Sequence, residues 1–343
     1  MISVIFPIRN EKQYIASSLD SILNQAQNSP IEILIADGMS TDGTRKIIKE
    51  YQKYNSSIHI LDNPEKVVST GFNRALSIAK GKVIIRVDGH VIVNPNYIDQ
   101  CLKVLKKTNA DCVGGPILNS SDGVIGNSIN IAQSSKFGVG GVAFRRKIKK
   151  GQFVDTLAFG AYKRDVFKRI GGYDQELIRN QDDEFNYRLI QKGGKIWLDP
   201  SIQSIYFPRK SIIKLFSQYF QYGLYEVRVM QKRGGLASFR HIIPLLFILS
   251  LLGTIFYYIK YKVIVPLLIT SLPYLSLSIF SSINQLMRNL KNWRSTIFLP
   301  LVFSTMHFAY GFGNLIGFCL FIFKWRDREV KDSYFDKATF DNN

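Results

Sequence analysis

The sequence predicts an α/β fold with a mixed, mostly parallel sheet, followed by C-terminal transmembrane helices. Two observations carry this. Through residue 90, apolar β-branched runs alternate with segments whose apolar residues recur at helical spacing. Nearly all long uncharged runs fall after His241, so the chain is two unlike parts.

The first strand, residues 3–7, enters a polar loop, Ile8-Arg9-Asn10-Glu11, and a helix with Ile15, Leu19, Ile22 and Leu23 on one face. The second strand, residues 31–36, ends in Asp37-Gly38-Met39-Ser40-Thr41-Asp42-Gly43-Thr44, where Thr41 or Asp42 can cap a helix over residues 45–54. Asp37 stands at a strand's C-terminal edge, where ligands of open α/β sheets bind, though an Asx turn would also use it. A strand at 59–61, a helix at 69–79 and an apolar strand from Lys82 follow.

That last strand delivers Asp88-Gly89-His90. An aspartate and a histidine at i, i+2 can face one way on extended backbone and form half a site for Mg²⁺ or Mn²⁺, open to phosphate oxygens. A turn cap beside an ordinary loop histidine accounts for the same residues. With no GxGxxG after the first strand and no GxxxxGK[ST], a Rossmann dehydrogenase or P-loop NTPase is not expected.

A helix at 97–108 and a strand at 110–115 come next, and the Gly- and Ser-rich stretch 118–151 reads as a mobile loop on the acceptor side of the cleft. Arg145 and Arg146 at its basic end suit either phosphate or a solvated face. Asp182, Asp183 and Glu184 open a helix, where the dipole favours acids and where one acid can serve as a general base. Residues 211–234 mix aromatic, aliphatic and basic residues, as a helix lying on a bilayer surface does.

Residues 241–259, 263–287 and 295–323 lack Asp, Glu, Lys and Arg, which predicts two or three membrane helices. Three crossings would leave the basic segment 324–328 on the far side from the N-terminal part, against the positive-inside tendency. Pro300, Gly311, Gly313 and Gly317 make a kinked or re-entrant third run the expected way out. The expected domains are thus 1–209 (catalytic), 210–236 (interfacial helix), 237–324 (membrane) and 325–343 (polar tail).

The net charge of +19 suits anionic lipid or phosphorylated substrates. Nucleic acid is not expected as a partner, because zinc-ligand spacing, RNP-like aromatics and a Lys/Arg block of the required length are missing. Three cysteines without CxxC fit a reducing cytosol. The N-terminus lacks a basic n-region and reads as a first strand, so the N-terminal part is expected to stay where it was made.

Taken in order, Phe6-Pro7-Ile8-Arg9-Asn10-Glu11, the Asp37 to Thr44 segment, Arg86-Val87-Asp88-Gly89-His90 and Gln181-Asp182-Asp183-Glu184-Phe185-Asn186-Tyr187-Arg188 resemble the family 2 inverting glycosyltransferases with the GT-A fold. The chain looks most like the membrane-bound succinoglycan-type enzymes of bacterial exopolysaccharide assembly. The resemblance covers residues 1–235. It implies that Pro7, Arg9 and Glu11 shape a nucleotide pocket, that Asp37 meets the base or ribose, and that Lys66 and Asn73 border the nucleotide. It further implies that Asp88 meets the sugar diphosphate, His90 the metal, and that Asp182 is the base, with Asp183 and Glu184 beside it toward acceptor or phosphate. Gln218, Tyr222, Gly223 and Arg228 stand where related enzymes carry a Gln-rich motif near the donor phosphates.

Two departures stand out. His90 replaces the second acid of Asp-x-Asp, which suits Mn²⁺ better than Mg²⁺. Gln181 replaces the usual Glu before the base and removes a charge that would raise the base's pKa. The absence of Gln-x-x-Arg-Trp argues against a processive synthase. The resemblance therefore implies transfer of a hexose from a nucleotide sugar, expected to be a UDP-hexose, to a lipid-linked saccharide. The enzyme would be multi-pass in the inner membrane with its catalytic domain on the cytosolic face. A polyprenyl-phosphate glycosyltransferase and a catalytically inactive membrane scaffold are the alternatives.

Overall fold

A computed structural model describes all residues except 26–29, 209–210, 237, 289, 291–292 and 343. The expected boundary at 209/210 lies outside the described residues. The chain forms two compact units that interleave along the sequence. One comprises Met1–Leu118, Arg146–Phe207 and Glu329–Asn343, the other Asn119–Arg145 and Pro208–Arg328.

The first unit opens with β1 (Ile2–Ile8), α1 (Ile15–Leu23), β2 (Ile31–Asp37), α2 (Thr44–Tyr54), β3 (Ile58–Asp62), α3 (Val68–Ile78) and β4 (Val83–Arg86). It continues with β5 (Val91–Val93), α4 (Tyr97–Thr108), β6 (Cys112–Gly114) and β7 (Ile117–Asn119). After the second unit's α5 (Gly123–Ser134) and α6 (Lys136–Val139), it resumes with β8 (Gln152–Phe153), β9 (Ala161–Lys163), α7 (Arg164–Ile170), α8 (Gln181–Gln191), β10 (Ile196–Leu198) and β11 (Ser204–Tyr206).

The main sheet runs β3-β2-β1-β4-β9-β6-β10-β8. Its first four strands are parallel, and β9 enters antiparallel between β4 and β6. A mixed sheet results. Its interior is the β-branched content of the strands: Val4, Ile5, Ile33, Ile35, Ile84 and Ile85 are fully buried. A smaller sheet, β5-β11-β7, lies within the same unit. Strand β4 ends at Arg86, so Asp88 and His90 stand on a turn and not on the extended backbone that their spacing suggested.

The second unit adds α9 (Ile212–Arg233), α10 (Ile243–Tyr261), α11 (Val265–Arg288), α12 (Trp293–Ile297) and α13 (Leu299–Leu320). Among the described residues, α10 and α11 are long and apolar enough to cross a membrane. Their apolar side chains remain largely exposed, as lipid-facing surfaces do. Helix α13 is different. Its Val302, Phe303, Met306 and Ala309 are buried with Leu215 and Tyr219 of α9 and Ile129 and Ala132 of α5.

Two expectations need correction here. The glycines of α13 do not kink it, because the helix is continuous and they sit at a helix crossing. A Cβ at Gly313 would stand 2.1 Å from the Phe220 carbonyl, and one at Gly223 would stand 2.0 Å from that of Tyr310. Small residues thus let α9 and α13 touch backbone to backbone. The stretch 118–151 is not one loop either. Its α5 packs on α12 and α13, with Ser128 Oγ donating to the Ser295 carbonyl at 2.7 Å.

The expected polar tail also folds. Residues 329–343, with α14 (Lys337–Asn342), belong to the first unit. Phe340 is fully buried there, under the Arg164 guanidinium and edge-on to Phe335 and Phe167. Asp332 accepts from the Gly172 amide at 3.0 Å, and the Tyr334 hydroxyl donates to Glu65 at 2.5 Å.

Candidate active site

The loops after β1 and β2 are laced together. Glu11 N donates to Thr44 Oγ1 at 2.8 Å, Lys12 N to Asp42 Oδ2 at 3.0 Å, and Thr41 N to Asn10 Oδ1 at 2.9 Å. Asp42 also accepts from Thr44 N, which explains its value at this helix start. Asp37 is fully buried inside this lacing. It accepts from Ser40 N and Oγ and pairs with Arg45, which also pairs with Asp62. Its carboxylate therefore holds the loop, and its expected contact to a base or ribose would need these partners to give way.

Pro7 is buried in β1, while Arg9 is exposed at its end. Lys66 is exposed too, on left-handed backbone at φ 62°, a conformation that costs a non-glycine residue energy. Asn73 is not on the cleft surface. Its amide is fully buried and spent on Tyr173, donating to the carbonyl at 2.7 Å and accepting from the N–H at 2.8 Å.

The turn after β4 brings the expected metal corner to the Glu11 loop. His90 Nδ1 is 2.9 Å from Glu11 Oε1. With a neutral imidazole donating from Nδ1 to the Glu11 carboxylate, Nε2 is the nitrogen left to accept. Gly89 makes this approach possible, since a Cβ there would lie 2.7 Å from Glu11 Cγ. Glu11 is thus a partner of His90.

Asp88 and Asp182 meet at one side chain, Arg86. The Nε and Nη2 groups of Arg86 donate to Asp88 Oδ1 at 3.2 and 3.1 Å, and Nη1 is 3.5 Å from Asp182 Oδ2. The Arg86 side chain is 6% exposed, against 21% for Asp88 and 30% for Asp182. Asp182 sits in the first turn of α8, and its carboxyl is raised from its ordinary value. Loss of solvation raises it most, the Arg86 charge opposes this, and Asp183 and Asp88 add to the rise.

The neighbouring acids are not equivalent. Glu184 is buried and forms a two-point pair with Arg188, which in turn donates to the carbonyls of Ile170 and Gly172. It is a structural residue, not an acceptor contact. Asp183 is half-buried and donates its N–H to Asp182 Oδ1 at 3.1 Å. In the second unit, Gln218 donates to Tyr222 Oη at 2.8 Å. Arg228 is fully buried and satisfied by the carbonyls of Lys324 and Asp327 and by the Asp327 carboxylate. That leaves it unable to serve as an exposed phosphate contact.

Arg86 is the residue of this site that sequence reasoning misses. A lone charge at the end of a buried β-branched strand is the available signal, since such a charge requires a partner.

The family model for glycosyl transferase family 2 matches residues 3–171, the segment that holds both loops and the β4 turn. A glucuronosyltransferase of Methanococcus voltae, acting on a dolichyl N-acetyl-glucosaminyl phosphate by its name, is 30% identical over 263 residues, 74% of this chain and 81% of the relative. The chain belongs to glycosyl transferase family 2. This family 2 glycosyltransferase is also 28% identical to the succinoglycan biosynthesis protein ExoA of Rhizobium meliloti, over 77% of this chain and 80% of that one. Its fold is GT-A. A mannosyltransferase from Pyrobaculum calidifontis, solved with GDP-Man and Mn²⁺, superposes with a TM-score of 0.56 at 17% identity, covering 92% of this chain and 86% of the other. As a glycosyltransferase related to exopolysaccharide and lipid-linked glycosyltransferases, the chain is an enzyme.

Proposed function

We propose that this family 2 glycosyltransferase inverts the anomeric centre as it moves a hexose from a nucleotide sugar to a lipid-linked saccharide in surface or exopolysaccharide assembly. The observation that carries the reading is the meeting of Asp88 and Asp182, far apart in sequence, on the guanidinium of Arg86. Asp182 is the base. Partly exposed and raised from its ordinary value, it is suited to take a proton from an acceptor hydroxyl, which then attacks the anomeric carbon opposite the nucleotide.

Two ligand atoms fit a divalent cation: Asp88 Oδ2, because Oδ1 is committed to Arg86, and His90 Nε2, because Nδ1 is committed to Glu11. A carboxylate behind a ligating histidine is the usual outer support of such a site. Among the described residues no group of three His, Cys, Asp or Glu side chains could hold a metal, so the donor's phosphates would have to supply the remaining ligands. When bound there, Mn²⁺ or Mg²⁺ would stabilise charge on the departing diphosphate. Arg9 and Lys66, both exposed cations, are proposed to border the nucleotide, and helices α10 and α11 to anchor the enzyme in the inner membrane with its catalytic unit on the cytosolic face, where lipid-linked acceptors are found.

The test is release of nucleoside diphosphate by purified protein in detergent, from a panel of UDP- and GDP-hexoses, with lipid extract as acceptor. Turnover with one donor, lost in Asp88→Ala and Asp182→Asn, supports the reading. Activity kept by Asp182→Asn alone would favour a polyprenyl phosphate acceptor, which is already ionised, and absence of nucleotide binding would favour a scaffold.

A further inference from the structure

Arg86 is where the strand register of β4 ends: its Cα pairs with Ile5 across the parallel ladder, and its N–H donates to the Gly160 carbonyl at 3.2 Å. The backbone that carries it is therefore held from both sides. The side chain is also walled in. Its guanidinium carbon is 5.8 Å from the centre of the Tyr173 ring, which stacks on Phe72 at 4.2 Å and is pinned at both backbone groups by Asn73. A buried guanidinium needs neutralising, and Asp88 and Asp182 both lie against it.

An arginine beside a sugar-diphosphate site is ordinarily a phosphate clamp. Arg86 is not placed for that. Nε and Nη2 are spent on Asp88, and Nη1 is buried with Asp182 Oδ2 as its ion-pair partner at 3.5 Å, beyond ordinary hydrogen-bond length.

We propose that Arg86 is a positioning residue, which fixes the base Asp182 relative to the donor-side carboxylate Asp88 without touching either substrate. This rests on the reaction proposed above. Three carboxylates, Asp88, Asp182 and Asp183, crowd this corner, and like charges push apart unless a cation stands between them. With Arg86 removed, Asp182 swings away from Asp88, and a base displaced by about 1 Å costs about 100-fold in rate. The effect on donor binding should be the smaller one, because Arg86 reaches the donor side only through Asp88 Oδ1 and leaves Asp88 Oδ2 for the metal.

The experiment compares wild type, Arg86→Gln, Arg86→Lys, Arg86→Ala and Asp182→Asn as full chains in detergent, reading kcat, donor KM and thermal unfolding. Arg86→Gln should lose about 100-fold in kcat with donor KM within about threefold of wild type, the pattern of an interaction that matters only at the transition state. Lysine, a point charge that cannot fork to two carboxylates, should restore less than about a tenth of the loss. Ethylguanidinium added to Arg86→Ala should recover turnover at least about tenfold, and should do nothing for Asp182→Asn, because only the first lacks a cation. Wild-type kcat in Arg86→Gln, with Asp182→Asn inactive, overturns the role of Arg86 and leaves the base in place. A loss confined to donor KM overturns it in favour of a phosphate contact. Wild-type kcat in Asp182→Asn instead overturns the reaction reading itself. If Arg86→Gln does not fold, Arg86→Lys decides by the same split between kcat and KM.

Discussion

Glu11 Oε1 and His90 Nδ1 stand 2.9 Å apart, and this contact turns the histidine so that Nε2 is the nitrogen left to bind. Glu11→Ala should therefore weaken Mn²⁺ affinity by about 10- to 100-fold, as loss of a ligand's outer support commonly does. Paramagnetic titration of Mn²⁺ in the presence of a nucleoside diphosphate reads this directly. Unchanged metal affinity with a raised donor KM would assign Glu11 to the nucleotide pocket instead.

As the proposed base, Asp182 is expected to set the acid limb of the rate. Its carboxyl is raised by lost solvation, and the base works only when ionised, so kcat should fall as pH drops through a value above the ordinary 3.8. The sign follows: raising the pH through that limb increases kcat until Asp182 is fully ionised. Asp182→Asn should lower kcat by about 10²- to 10⁴-fold and abolish the limb. A limb that persists in Asp182→Asn would assign the base elsewhere.

Arg228 separates a structural from a phosphate-binding role. Its buried hydrogen bonds to residues 324–327 make Arg228→Met a loss of about 2–3 kcal/mol, seen as a lower unfolding temperature. Donor KM should not change in the protein that remains folded. A raised donor KM at unaltered stability would contradict the burial described above.

Phe340 tests the returning C-terminal segment. It is fully buried beneath Arg164, so Phe340→Ala should cost about 3–5 kcal/mol by thermal unfolding. Because Asp332 holds the Gly172 amide next to Tyr173, Asp332→Ala should lower activity as well as stability. An unfolding curve unchanged by Phe340→Ala would mean that the segment is not docked in solution.

The alternation of strands and helices was legible because β-branched runs are cleanly bounded by turn residues. The apolar helices were legible because uncharged runs of about 20 residues match the thickness of a bilayer. The four motifs all fall in the first unit. What was not legible was which side chains face ligand and which face protein. Asp37, Asn73, Glu184 and Arg228 occur at motif positions, yet their polar atoms are consumed internally, and only tertiary partners reveal that. Composition misled twice. Gly126, Ser128 and Ala132 read as loop residues but are the buried face of α5, and the glycines of α13 read as breaks but are contact points. In the tail, Tyr334, Phe335 and Phe340 were aromatic anchors amid polar residues, a signal that low overall hydrophobicity concealed.

The return of residues 329–343 to the catalytic unit also constrains topology by parity. A chain whose early and late segments fold into one body crosses a bilayer an even number of times, whatever lies between. If α10 and α11 are the two crossings, as proposed above, they would form a hairpin with its tip at Lys262. On that topology the basic segment 324–328 would fall on the same side as residues 329–343, which would remove the conflict with the positive-inside tendency. In sealed vesicles of a Cys319→Ser background, cysteines introduced at Tyr54 and Lys337 should be labelled from one face and a cysteine at Lys262 from the other.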